Sequence, residues 1–180
     1  MNCAVAARNL EHGLFAWREK SAEREDAQFA YNPNMIRVSV ANPYDYPLDF
    51  ARVKDAARTV LEGEGVMAAK VTIAFVNNEH IHRLNKQFLN HDEPTDVLSF
   101  PYSDPAAKTL EGEVVIGYDI AKEYAGDRGH EWYLELLLYV IHGCLHLCGQ
   151  DDLTDRSEEK MRDKEREYLA KLGLPDIAGD

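Results

Sequence analysis

The chain has 180 residues, 45% hydrophobic and 29% charged, which suits one globular domain with a buried core and excludes wholesale disorder. Its 32 acidic residues outnumber 20 basic ones, and the net charge of −12 argues against a broad surface that coats nucleic acid, because phosphate binding runs on clustered Lys and Arg. A local basic cleft stays open. Residues 1–34 read as a loosely ordered N-terminal extension: residues 17–28 set charges around almost nothing apolar, and Asn32-Pro33-Asn34 marks a break. Met35 opens an alternating strand, with Ile36, Val38 and Val40 on one face and Arg37 and Ser39 on the other. Phe50, Val53, Ala57 and Leu61 predict a helix over 48–61, ended by Gly63 and Gly65. Residues 71–76 are apolar enough for a central strand, and Asn77 and Asn78 cap a helix with Ile81, Leu84 and Phe88 on one stripe.

Short strands follow at 97–100 and 113–116, then a short helix over 119–125. Residues 132–147 form a strongly apolar helix, and Thr154 caps a last, charged helix to about Lys171, closed by Gly173 and Pro175. Without strict βαβ alternation, this order predicts an α+β fold: a single compact domain over 35–175 with a small mixed sheet packed against helices, and a tail over 176–180. Cys3, Cys144 and Cys148 are too few and too unevenly placed for a disulfide framework, and they suit a reducing cytosol. The longest apolar run, 136–141, falls far short of the roughly 20 residues that span a bilayer, and the N-terminus does not read as a signal peptide.

The chemistry concentrates at Ile141-His142-Gly143-Cys144-Leu145-His146-Leu147-Cys148-Gly149-Gln150-Asp151-Asp152. His142 and His146, four apart on a helix, differ by only about 40° around its axis, so both imidazoles can reach one ion. Gly149 stands where a left-handed turn can bring Asp152 back as a third ligand. Two imidazoles and one carboxylate form a recurrent catalytic zinc set, and it requires donor atoms about 3–4 Å apart. A hydrogen-bonded core pair or a surface pair of histidines is the alternative. A metzincin protease is a minor reading, because Gly143 stands where its general-base Glu would be.

This stretch resembles the YbeY proteins, bacterial rRNA maturation factors, whose signature is His-Gly-x-Leu-His-Leu-x-Gly-x-Asp-His. Leu84-Asn85 with Glu93-Pro94-Thr95-Asp96-Val97-Leu98-Ser99-Phe100-Pro101, and Gly112-Glu113-Val114-Val115-Ile116, are similar to two further blocks of that family. The resemblance implies a single-strand-specific, metal-dependent endoribonuclease of the cytoplasm, acting in ribosomal RNA 3′-end maturation and ribosome quality control. It also implies one Zn2+, or another divalent metal, on three histidines. His142 and His146 match two of them, and Asp152 takes the third position. Its partners would be ribosomal RNA and the small subunit or its proteins, with no membrane and no DNA. Asp151 is expected to stand behind the ligands or to replace Asp152 as one. Leu89 occupies the place of a family arginine that faces the cleft, so Lys86 or Arg83 is the candidate replacement, and Ser99 is a candidate for positioning substrate. An RNA groove would draw on Arg52, Lys54, Arg58, Lys70, Arg83 and Lys86. The alternatives are a non-catalytic ribosome assembly factor with a structural metal, or another metal-dependent hydrolase.

Overall fold

Val71, Ile73 and Phe75 point to one side of a strand and Ala74 and Val76 to the other, and this period of two divides the protein into two cores. The computed structural model describes residues 4–5, 35–103 and 109–178. Its strands are β1 (Ala4–Val5), β2 (Ile36–Ala41), β3 (Ala69–Val76), β4 (Val97–Pro101) and β5 (Leu110–Gly117), hydrogen-bonded in the order β1-β4-β5-β3-β2. β4 and β5 pair antiparallel, and the other pairs are parallel. In this register Val38 faces Val71, Ile73 faces Val114 and Ile116 faces Val97, so residues of one face line up across the sheet. The helices are α1 (Phe50–Gly63), α2 (Asn78–Leu89), α3 (Tyr118–Arg128), α4 (Trp132–Leu147) and α5 (Asp155–Lys171). The architecture is the α+β domain with a mixed sheet that the sequence predicts.

Residues of α1, α3, α4 and α5 pack with the Val71 face in one cluster, whereas α2 buries Ile81 and Leu84 against Ala74, Val76, Leu98, Phe100 and Val115 on the reverse. α4 lies at the centre of the first cluster, because a helix apolar on all sides has no face to give to water. Every residue of it from Glu135 to Leu147 is buried. Gly143 sets how close it lies to the sheet: a Cβ there would stand 2.3 Å from Val114 Cγ1 and 3.1 Å from Val97 Cγ1.

The structure departs from the sequence reading in three places. α1 begins later, where the Asp49 side chain accepts from the backbone N–H groups of Ala51 and Arg52 at 3.0 and 3.2 Å. Phe50, expected on the buried stripe, is 43% exposed, because the first helical residue lies ahead of the packed surface of Val53, Ala56, Ala57, Val60 and Leu61. β5 begins earlier than expected, since β3 offers it a ladder back to Ala69. Beyond residue 175, Ile177 and Ala178 are buried in the first cluster. Apart from β1, the expectation for residues 1–34 lies outside the described residues, as does Cys3. Cys144 and Cys148 are free thiols, and burial pushes both pKa values up. Among the described residues, no helix is long and apolar enough to cross a membrane.

Candidate metal centre

α4 carries His142 and His146 one turn apart and ends in a two-bond turn. The Gly149 N–H donates to the His146 carbonyl at 3.0 Å and the Gln150 N–H to that of Leu145 at 3.1 Å. Gly149 takes φ +88°, a left-handed conformation that suits glycine and reverses the chain. The reversal places the Asp152 carboxylate against both rings. The two Nε2 atoms are 3.1 Å apart, Asp152 Oδ2 lies 3.7 Å from His142 Nε2, and Asp152 Oδ1 lies 3.7 Å from His146 Nε2. One ligand atom from each of the three residues lies within 4.8 Å of the others.

The far side of each ring decides what this convergence means. His146 Nδ1 lies 2.9 Å from the Gln150 carbonyl, and His142 Nδ1 lies 2.6 Å from Glu165 Oε1 on α5. A carbonyl and a carboxylate only accept, so each ring donates from Nδ1 and, when neutral, turns its Nε2 lone pair inward. The two Nε2 atoms and the Asp152 carboxylate then face one another, nearly excluded from water. Burial, and next the adjacent His142, push the His146 pKa down to about 4, which keeps its ring neutral. Burial pushes the Asp152 carboxyl up, against the pull of His142. A divalent cation answers all of these conditions: it takes the lone pairs, balances the Asp152 and Glu165 charges, and uses rings already fixed by acceptors on Nδ1. His142, His146 and Asp152 therefore form a cluster able to bind a metal ion.

The profile of the family described as "Endoribonuclease YbeY" matches residues 44–173. The chain belongs to the YbeY family. The endoribonuclease YbeY of Carboxydothermus hydrogenoformans is 39% identical over 122 residues, 68% of this chain and 85% of the relative. That of Chlorobium luteolum is 33% identical over 137 residues, covering 76% of this chain and 98% of its own. The solution structure of TM1509 from Thermotoga maritima is 28% identical and superposes with a TM-score of 0.54, covering 81% of this chain and 96% of the other.

Within this member of the YbeY family, the other residues singled out by the sequence lie elsewhere. Asp151 is exposed and accepts from the Leu153 N–H at 3.2 Å, so it braces the turn and is absent from the cluster. Ser99 is fully buried in β4 and donates to the Gly143 carbonyl at 3.1 Å, so it holds α4 to the sheet and cannot touch substrate. Arg83 and Lys86 sit on α2, on the reverse of the sheet from α4, in exposed ion pairs with Glu79 and Asp92. Leu89 packs against the core of that same face. The basic residues expected to form one groove are divided, since Arg52, Lys54 and Arg58 lie on α1 and Arg83 and Lys86 on α2, across the sheet.

The sequence reading missed Glu165 and the Gln150 carbonyl. Glu165 had a signal: Met161, Glu165, Tyr168 and Leu169 are the buried residues of α5, so a carboxylate stands on an otherwise apolar stripe and requires a partner. The Gln150 side chain is fixed in turn by Glu64, which accepts from its Nε2 at 2.9 Å, from Lys164 at 2.6 Å and from the Tyr168 hydroxyl at 2.7 Å.

Proposed function

We propose that this protein is a metal-dependent endoribonuclease that cuts single-stranded RNA and acts in the cytoplasm on the 3′ ends of ribosomal RNA, in ribosome maturation and quality control. One observation carries the reading: Nε2 of His142 and of His146 converge with the Asp152 carboxylate while Nδ1 of each ring faces an acceptor. Membership of the family supplies the reaction class. One Zn2+ suits two imidazoles and a carboxylate, and the oxygen donor also admits a harder divalent ion. Bound by these three residues, the ion supplies Lewis acidity toward a phosphoryl oxygen and toward water. Glu165 and the Gln150 carbonyl hold both rings with Nε2 inward, so no reorientation is needed before the substrate arrives. Compared with three histidines, Asp152 adds one negative charge and weakens the acidification of water.

At −12, the chain is expected to bind free RNA weakly and in a salt-sensitive way, with docking on the small ribosomal subunit supplying the specificity. Cleavage of a single-stranded RNA by wild type with Zn2+, lost on chelation and in His146→Ala and restored to wild type by added metal, supports the reading. Equal cleavage by wild type and His146→Ala refutes it. The burial of the two histidines favours a second reading, a structural ion in a non-catalytic ribosome assembly factor. In that case His146→Ala lowers the melting temperature while ribosomal RNA ends mature equally with either form in cells lacking their own copy.

A further inference from the structure

We propose that Arg128, seconded by Arg162, binds the phosphodiester oxygens of the substrate beside the metal centre; this rests on the nuclease reading above. The cations that the sequence offered for this task lie across the sheet. Arg128 and Arg162, in contrast, line the same cavity as His142 and Asp152. Arg128 is the last residue of α3, and its guanidinium Nη1 donates to Glu135 Oε1 at 3.2 Å. Glu135 is fully buried on α4, and its other oxygen is taken by His130 Nε2 at 2.5 Å. The arginine is thereby anchored by one N–H to the helix that carries both histidines.

A guanidinium has five donors in a planar fork that matches two phosphate oxygens. Among the described residues, the hydrogen bond to Glu135 is the only one that the Arg128 side chain makes, so Nη2 and Nε are left for a ligand. Its carbon centre stands 5.5 Å from the Tyr124 ring, which is 46% exposed and offers a nucleobase a stacking surface at the same place. Arg162 on α5 donates to Glu158 at 2.7 Å and to the Ala178 carbonyl at 3.1 Å. The carboxylates of the cavity have partners of their own: Glu165 holds His142, Glu158 holds Arg162, and Asp152 faces the two imidazoles. In a chain so acidic, these two arginines put guanidinium donors for phosphate beside the centre.

The test compares wild type, Arg128→Gln, Arg128→Lys and Arg162→Gln with a labelled oligouridylate, by steady-state cleavage in Zn2+ and by anisotropy across a salt series. Loss of a charge-assisted bond in Arg128→Gln is expected to raise KM about tenfold. The slope of log K against log salt should fall by about 0.7, the single-strand value for one phosphate contact. Arg162→Gln shifts both in the same direction by less. Arg128→Lys restores the salt slope but only part of the KM, because lysine keeps the charge and loses the fork. Unchanged KM and slope in both glutamine variants, with wild-type cleavage intact, overturns the assignment and leaves the nuclease reading standing. A lowered melting temperature with an unchanged slope overturns it too, reducing Arg128 to the counter-ion of Glu135. Arginine-dependent binding without any wild-type cleavage keeps the phosphate site and removes the nuclease reading.

Discussion

Replacing Glu165 tests the metal centre without touching a metal donor. Its Oε1 lies 2.6 Å from His142 Nδ1, and both side chains are 2% exposed. Alanine at 165 leaves a buried ring N–H with no acceptor, a loss of about 1–3 kcal/mol. It also removes the reason for the proton to stay on Nδ1; once moved to Nε2, the proton occupies the position that the metal needs. Partners of this kind are worth about 10–100-fold in metal affinity, which at about 1.4 kcal/mol per decade is about 1.4–2.8 kcal/mol, the same range as the lost bond. Glu165→Gln keeps an acceptor without the charge and should fall between wild type and Glu165→Ala. The assay is competition for Zn2+ against a chromophoric chelator, with His146→Ala as the reference and thermal melts of the metal-free proteins as a control for folding. Equal Zn2+ affinity in the Glu, Gln and Ala forms would refute the argument that Glu165 fixes the ring for metal.

Three further outcomes are expected. Gly143→Ala should lose about 1–3 kcal/mol in thermal denaturation, because the new Cβ stands 2.3 Å from Val114 Cγ1; it should also weaken Zn2+ binding, since the neighbouring His142 moves with the helix. Ser99→Ala should lose about 0.5–1.5 kcal/mol in urea denaturation, the net worth of its bond to the Gly143 carbonyl, with no change in KM for RNA. Burial pushes Glu64 up, but hydrogen bonds from Lys164, Tyr168 and Gln150 outweigh it and hold the carboxyl below its ordinary range. A folded value below the unfolded one adds stability that is present above the unfolded pKa and lost as pH falls through the folded one. Urea midpoints of wild type and Glu64→Gln should therefore converge between about pH 7 and about pH 3, and a constant difference across that range would contradict the sign.

The parts of the site legible in the sequence are those built by neighbours in the chain. α4 spans the residues its apolar run predicts, because a stretch from Trp132 to Leu147 with so few charges has nowhere to go but the centre. His142, His146, Gly149 and Asp152 follow from helix geometry and one left-handed turn, both fixed by local backbone rules. Glu165, Glu64 and Arg128 reach the site only through packing between elements. α5 is so rich in charge that its pattern reads as a solvated face, which hides the one carboxylate turned inward. The basic residues of α1 and α2 share only their sign, and the sheet sets them on opposite faces.

The turn at Gly149 also fixes how far a metal held by this cluster would reach along the chain. All three donors come from the short stretch His142–Asp152, and even Glu165 is only 23 residues from the ring it holds. A cross-link over so short a loop removes little entropy from the unfolded chain. The long spans are closed by other means: Glu64 alone ties together groups 86, 100 and 104 residues away, and the sheet closes the rest. Were an ion bound there, stripping it would be expected to loosen the junction of α4 and α5 and leave the sheet and its two cores standing. On the proposed reading the protein would be a scaffold that receives its metal after folding, unlike a zinc finger that needs metal in order to fold.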